Sequence, residues 1–343
     1  MYKGKTIGVV VPAYNEGELV GDVIRTLPEF VDRAFVVDDC STDGTWQEIR
    51  EAAREANGRV DGPEQEKIHA DGGQPVAGRV VPIRHEQNCG VGGAIKTGYR
   101  RARDEGIDVT AVMNGDGQMD PGILDRIIDP VVEGEADYAK GNRLSRSDHR
   151  EQMSAWRLFG NTLLTFLTKV VSGYWRTSDP QNGYTAISSR ALRAVDLDDL
   201  HDDYGFCNDL LVALNVHGMR VTDVEMAAKY GEEESHIRYR RFVPRLSRLL
   251  ARRALWRFKV KYVVTDFHPL VLLYALGAIG IAGGLAYGGW SVAAATPTPL
   301  DALLALLTVL LSSLCITLAM IFDRIDNASL EVDVNEQLHE LER

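Results

Sequence analysis

The chain has 343 residues, 45% of them hydrophobic and 25% charged, with a formal net charge of −11. That length supports one large domain or two modest ones, and the acidic balance argues against a general nucleic-acid binder, which would be basic. Four scattered cysteines, Cys40, Cys89, Cys207 and Cys315, form no CxxC pair, so neither a zinc site nor a disulfide framework is suggested.

The N-terminus, MYKGKTIGVVVPAYN, runs directly into a strand pattern without signal-peptide architecture, so the N-terminal part is expected to fold in the cytoplasm. Over residues 1–230, short apolar runs alternate with helical patterns. Thr6–Val11, Ala34–Val37, Val80–Ile83 and Val109–Met113 read as strands; Glu18–Leu27, Thr45–Ala56, Val91–Glu105 and Pro121–Glu133 read as helices. This alternation predicts an α/β domain with a doubly wound, mostly parallel sheet, whose ligands bind beyond the carboxyl ends of the strands. Residues 57–79, containing Gly, Gln and Pro, read as a surface insertion.

Four stretches punctuate this domain. In VVVPAYNEGE, residues 9–18, Pro12 cannot extend a ladder, and Asn15 and Glu16 stand where the next helix begins. In VVDDCSTDGT, residues 36–45, Asp38 and Asp39 end a strand as paired carboxylates, which repel and want a partner, while Asp43 is placed to cap a helix. In NCGVGGAIKTG, residues 88–98, Ile95 breaks both the dinucleotide and the P-loop glycine patterns. What remains is a Gly-rich turn into a helix, where backbone can approach a ligand closely. In VTAVMNGDGQMDP, residues 109–121, a strand ends in Asn114, Asp116 and Gln118, oxygen donors suited to Mg²⁺ or Mn²⁺. Pro121 then fits the first turn of a helix.

Ala155–Val171 reads either as a core helix or as one lying at a membrane surface. Residues 238–263 are densely basic and interleaved with Leu, Trp, Phe and Val, which suits a cytoplasmic interfacial helix against anionic lipid. Pro269–Trp290 and Ala302–Phe322 carry no charge over 22 and 21 residues, and at 1.5 Å per residue each reaches about 30 Å, enough for a bilayer core. The expected organisation is therefore a domain over 1–230, a basic interfacial helix over 231–265, two transmembrane helices over 266–323, and an acidic cytoplasmic tail over 324–343. The connector between the spans lacks Lys and Arg and is expected outside the cell.

Taken together and in this order, the four stretches resemble the family 2 glycosyltransferases, which have a GT-A nucleotide-sugar fold. The matched positions are Pro12-Ala13-Tyr14-Asn15-Glu16, Asp38 to Thr45, Asn88 to Gly98, and Asn114, Asp116 and Gln118, where Asn114 replaces the first acid of the family's metal motif. Gly141-Asn142-Arg143, Trp156-Arg157, Asp179 to Tyr184 and Tyr204-Gly205-Phe206 extend the resemblance to the polyprenyl-phosphate branch, which includes dolichol-phosphate mannose synthase. The resemblance implies a nucleotide-sugar donor, UDP- or GDP-linked, held by Pro12, Tyr14, Asn15, Glu16, Asp38, Asp39, Gly92 and Lys96. It implies a divalent metal at Asn114, Asp116 and Gln118, and Arg143 and Arg157 on the donor and acceptor phosphates. The acceptor would be a polyprenyl (dolichyl) phosphate at the membrane, the product a lipid-linked monosaccharide for glycan or glycoprotein assembly, and a homo-oligomer is compatible with it. Asp209 stands where relatives that glycosylate a hydroxyl place their catalytic acid. Two other readings stay open: transfer to a hydroxyl of a lipid-linked saccharide, and a non-catalytic membrane scaffold with this fold.

Overall fold

The computed structural model describes residues 1–58, 78–143, 155–226, 239–294 and 298–334, without the side chains of 155–159, 161 and 239–243. The proposed insertion and the end of the tail therefore lie largely outside the described residues. Eight strands form one sheet: β1 (Ile7–Ala13), β2 (Arg33–Asp38), β3 (Val80–Arg84), β4 (Val109–Val112), β5 (Tyr138–Asn142), β6 (Thr185–Ser188), β7 (Val221–Glu225) and β8 (Glu331–Val332). Their order is β3-β2-β1-β4-β6-β5-β7-β8. Only β6 runs antiparallel to its neighbours β4 and β5 among the described pairings. A mostly parallel sheet is covered on both faces, so its central strands read as continuous apolar runs; β1 is buried along its whole length.

Alternate residues of β1 feed two cores. Val9 and Val11 pack under α1 (Val20–Arg25), α2 (Thr45–Asn57) and α4 (Leu124–Val132), through Ile24, Ile49 and Ile127. Val10 faces the other way, with Tyr99 of α3 (Gly90–Asp104), Leu192 of α6 (Ser189–Ala194) and Leu210 of α7 (Phe206–Val216). β1 runs through Pro12, against the sequence expectation. Proline lacks only the amide, and its carbonyl accepts from the Gly115 N–H at 3.0 Å.

A third cluster joins α5 (Ala155–Ser172) and α7 to the basic helix α8 (Tyr239–Lys259) through Val171, Val212, Leu246 and Leu250. A π-helical turn over Val260–Thr265 leads from α8 to α9 (Leu270–Ala293), which pairs with α10 (Pro299–Asn327). The pair packs through small residues at seven-residue spacing, Gly277, Gly284 and Ser291 against Ala305, Ser312 and Ala319, all buried. Small residues let two helical backbones approach. Elsewhere the pair exposes large apolar side chains, among them Ile279, Leu285, Trp290 and Leu311.

The segment expected to be a tail begins inside the fold. α10 continues to Asn327, and Glu331–Val332 adds to the sheet edge beside β7. Glu331 there accepts the backbone amide of Arg176, and the amide of Thr177 at 3.3 Å.

Candidate active site

The carboxyl ends of β1, β2 and β4 lie side by side, with Ala13 in register with Asp38 and that residue with Arg84 of β3. Beyond β1 the chain turns at Asn15, whose φ of 56° lies in the left-handed region, a conformation costly for a residue with a Cβ unless neighbours enforce it. Here they do. The Asn15 N–H donates to Ser41 Oγ at 3.0 Å, its Oδ1 accepts from Thr42 N–H at 2.9 Å, and the Glu16 N–H donates to Thr45 Oγ1 at 2.8 Å. Asp43 accepts from the Thr45 amide at 3.0 Å and the Gly17 amide at 3.3 Å. Burial alone would push its carboxyl up; the Thr45 and Gly17 bonds hold it below the usual range.

The paired acids divide their work. Asp38 is fully buried; its Oδ1 accepts from the Ser41 N–H at 3.0 Å, and its Oδ2 faces Arg84 Nε at 3.1 Å. Asp39 accepts from the Cys89 N–H at 2.8 Å and the Gly90 N–H at 2.7 Å, and meets His85 Nδ1 at 2.7 Å. His85 Nε2 reaches Thr97 Oγ1 at 2.9 Å. Asp39, His85 and Cys89 offer ligand atoms within 4.8 Å of one another. Both Asp39 oxygens already accept these donors, so the trio reads as a hydrogen-bonded brace holding the 88–90 turn onto β2.

At the end of β4, Gly115 lies so close to β1 that a Cβ there would meet Pro12 O at 3.2 Å. Asn114, Asp116 and Gln118 are half-buried, and Asp116 Oδ1 accepts the Gln118 N–H at 3.0 Å. Asp120 caps the following turn, in which Pro121 takes the first position. The 179–184 stretch lies alongside: a Cβ on Gly183 would be 3.5 Å from Asn114 Oδ1, and Tyr184 OH donates to Asp120 O at 2.9 Å.

Arg143, just past β5, grips Asp179 with two donors, Nε at 2.8 Å and Nη2 at 3.0 Å. Asp179 is buried, with a left-handed φ of 46°. Burial would raise its carboxyl, but Arg143 holds it below the usual carboxylate range. Lys140, 1% exposed, braces the same stretch by donating to the carbonyls of Ser178 and Asp179 and pairing with Asp223 at 3.0 Å.

Three expected site residues have other neighbours. Gly92 packs on backbone: a Cβ there would meet His201 O at 2.6 Å. Lys96 is buried, donating to Leu200 O at 2.9 Å and pairing with Asp202. Asp209 is 1% exposed; its Oδ2 accepts the His201 N–H and Arg253 Nη2, each at 2.8 Å, and Arg253 Nε meets its other oxygen. Burial pushes the Asp209 carboxyl up, and Arg253 opposes that. Tyr14 is largely exposed at the mouth of β1. Arg157 lies on α5, in the part whose side chains are outside the described set. Sequence reasoning missed His85, Arg84, Asp179, Lys140 and Asp223. Of these only Asp179 lay within a quoted motif; the others act on partners far away in the chain.

The sequence profile described as Glycosyl transferase family 2 matches residues 8–196, and the chain belongs to that family. It is 29% identical over 229 residues to a UDP-N-acetylglucosamine–dolichyl-phosphate N-acetylglucosaminyltransferase of Methanococcus voltae, covering 66% of this chain and 87% of that one. It is 27% identical over 220 residues to an undecaprenyl-phosphate mannosyltransferase of Micrococcus luteus, covering 63% and 80%. Among solved structures, glucosyl-3-phosphoglycerate synthase from Mycobacterium tuberculosis in complex with uridine diphosphate is similar with a TM-score of 0.49 and 18% identity, over 75% of this chain and 81% of that one.

Proposed function

We propose that this glycosyltransferase moves one sugar from a nucleotide-sugar to a polyprenyl phosphate at a membrane surface, by single displacement with inversion at the anomeric carbon. The acceptor class is supported by the relatives, whose names specify dolichyl- and undecaprenyl-phosphate transfer. The observation that carries a phosphate acceptor over a hydroxyl one is Asp209. A hydroxyl needs a base within reach; this carboxylate is buried and already bound by Arg253 and the His201 amide. A lipid phosphate is largely dianionic near pH 7 and needs positioning more than deprotonation.

In this reading a phosphate oxygen attacks C1 as the nucleoside diphosphate leaves. Residues 12–16 hold the nucleotide, with Asp38 and Asp39 bracing the 41–45 and 88–90 turns around it and Gly92 and Lys96 keeping α3 in place beside it. Arg143, oriented by Asp179, and Arg157 hold phosphates, a task that guanidinium geometry suits. Asn114, Asp116 and Gln118 would hold Mg²⁺ or Mn²⁺, whose chemistry when bound is to neutralise the departing diphosphate. An all-oxygen donor set fits such a cation, although the Asn114 amide adds no charge.

We place the protein in the cell membrane with two spans and a cytoplasmic catalytic domain. Helices of 24 and 29 residues, apolar and exposed on most of their surface, support this. The outer face of α8, with Arg245, Arg248, Arg252 and Lys259, suits anionic headgroups. Leu163, Phe166 and Leu167 give α5 an exposed apolar face beside it.

The test uses full-length protein in detergent with UDP-N-acetylglucosamine, UDP-glucose or GDP-mannose, polyprenyl phosphate and Mn²⁺. One donor should yield a lipid-linked monosaccharide. Chelation or Asp116→Ala should cut the rate roughly a hundredfold or more, the loss of several kcal/mol of charge stabilisation. Donor binding without transfer to any lipid would instead support the scaffold reading.

A further inference from the structure

A buried polar hub joins the membrane hairpin to the catalytic domain. Asp323, on α10, is fully buried, as is Arg257 of α8, which donates to it at 2.7 Å. The same carboxylate accepts from Trp175 Nε1 at 3.0 Å and from Tyr262 OH. One turn on, buried Asn327 donates to Tyr262 OH at 2.8 Å and accepts from Asn215 Nδ2 at 2.7 Å and from Lys261 Nζ. These residues come from the segment after α5, from α7, from α8 and the turn following it, and from α10. The second apolar helix is thus keyed into α7, into α8 itself and into the segment that follows α5. A passive tether needs no such hub, because burying a charged pair is costly unless its geometry is good; here the Asp323 carboxylate is fully engaged, although Arg257 Nε is buried without a hydrogen-bond partner among the described residues. Such networks hold one arrangement against alternatives.

We infer that Asp323 is a positioning residue for the transfer reaction. It fixes the depth and tilt of the catalytic domain against the hairpin, so that the carboxyl ends of β1 and β4 meet an acceptor headgroup held in the bilayer. The inference rests on the lipid-phosphate reading above. It predicts an effect confined to acceptors anchored in a membrane, since a soluble acceptor reaches the site by diffusion.

The test compares wild type with Asp323→Asn, full-length in lipid nanodiscs, on two acceptors: long-chain polyprenyl phosphate in the bilayer, and a short water-soluble isoprenyl phosphate. The substitution should lower kcat on the bilayer acceptor by roughly tenfold or more, as small misplacements do, and leave the soluble acceptor's kcat and KM unchanged. Equal loss on both acceptors would make Asp323 a residue of general stability and overturn the inference, as would no loss on either. Should Asp323→Asn fail to fold, Tyr262→Phe, which removes one hydroxyl from the hub, decides by the same split. Wild-type protein active on neither phosphate would reject the reaction itself, and the positioning role with it.

Discussion

At the scale of single residues, the site is a set of carboxylates whose environments assign them different tasks. Asp38 and Asp39 are adjacent in sequence, yet one serves the 41–45 turn and Arg84, the other the 88–90 turn and His85. Asp209 is the sharpest case. Its position in the chain suggested a catalytic acid, and its surroundings make it half of an ion pair with Arg253. Removing one partner from a buried pair costs about 3–5 kcal/mol because the other charge is stranded. Asp209→Asn should therefore lower the melting temperature markedly while the folded fraction still transfers sugar. Thermal melting and single-turnover transfer on the same sample check this; an unchanged melt with lost transfer would restore Asp209 as a base.

At the scale of elements, the strands and their polar ends were legible because buried parallel strands are apolar throughout and can turn polar only where they leave the sheet. Val109–Met113 followed by Asn114 and Asp116 announced such an exit. The glycines of the 88–98 turn were legible as close approach but not as approach to what. Gly92 packs on the His201 carbonyl, a partner about a hundred residues away. Gly92→Val would force backbone apart, an overpacking cost of roughly 1–3 kcal/mol, and shift the turn whose amides hold Asp39. The expected outcome is a lower melting temperature together with weaker donor binding by calorimetry. Weaker binding at an unaltered melting temperature would mean that Gly92 approaches the donor itself. The basic segment was read as an interfacial helix against anionic lipid, with no face assigned to the protein. Leu246, Leu250, Arg253 and Arg257, spaced four, three and four apart, form one inward face, and that periodicity was present in the sequence. The charges hid it, since an arginine is rarely a core residue unless paired, and Asp209 and Asp323 cannot be matched to them from local pattern.

At the scale of the whole molecule, catalytic sheet, basic helix and hairpin form one interlocked body. β8 returns from the hairpin to the sheet edge, and the Asp323 hub closes the joint. The proposed two-span topology predicts that Thr298, at the start of α10, faces outward. With Cys40, Cys89, Cys207 and Cys315 replaced by serine, Thr298→Cys should react with a membrane-impermeant maleimide on intact cells, and Asp333→Cys only after permeabilisation. Labelling of both, or of neither, before permeabilisation would exclude this arrangement.

The class of acceptor is decided by a competition assay. Full-length protein would be given labelled nucleotide-sugar with equal amounts of polyprenyl phosphate and a polyprenyl-diphosphate-linked sugar, and the products separated by mass. Transfer to a phosphate acceptor puts label on the lipid phosphate alone. Label on a hydroxyl of the lipid-linked sugar would contradict it and return Asp209 to the centre of the chemistry.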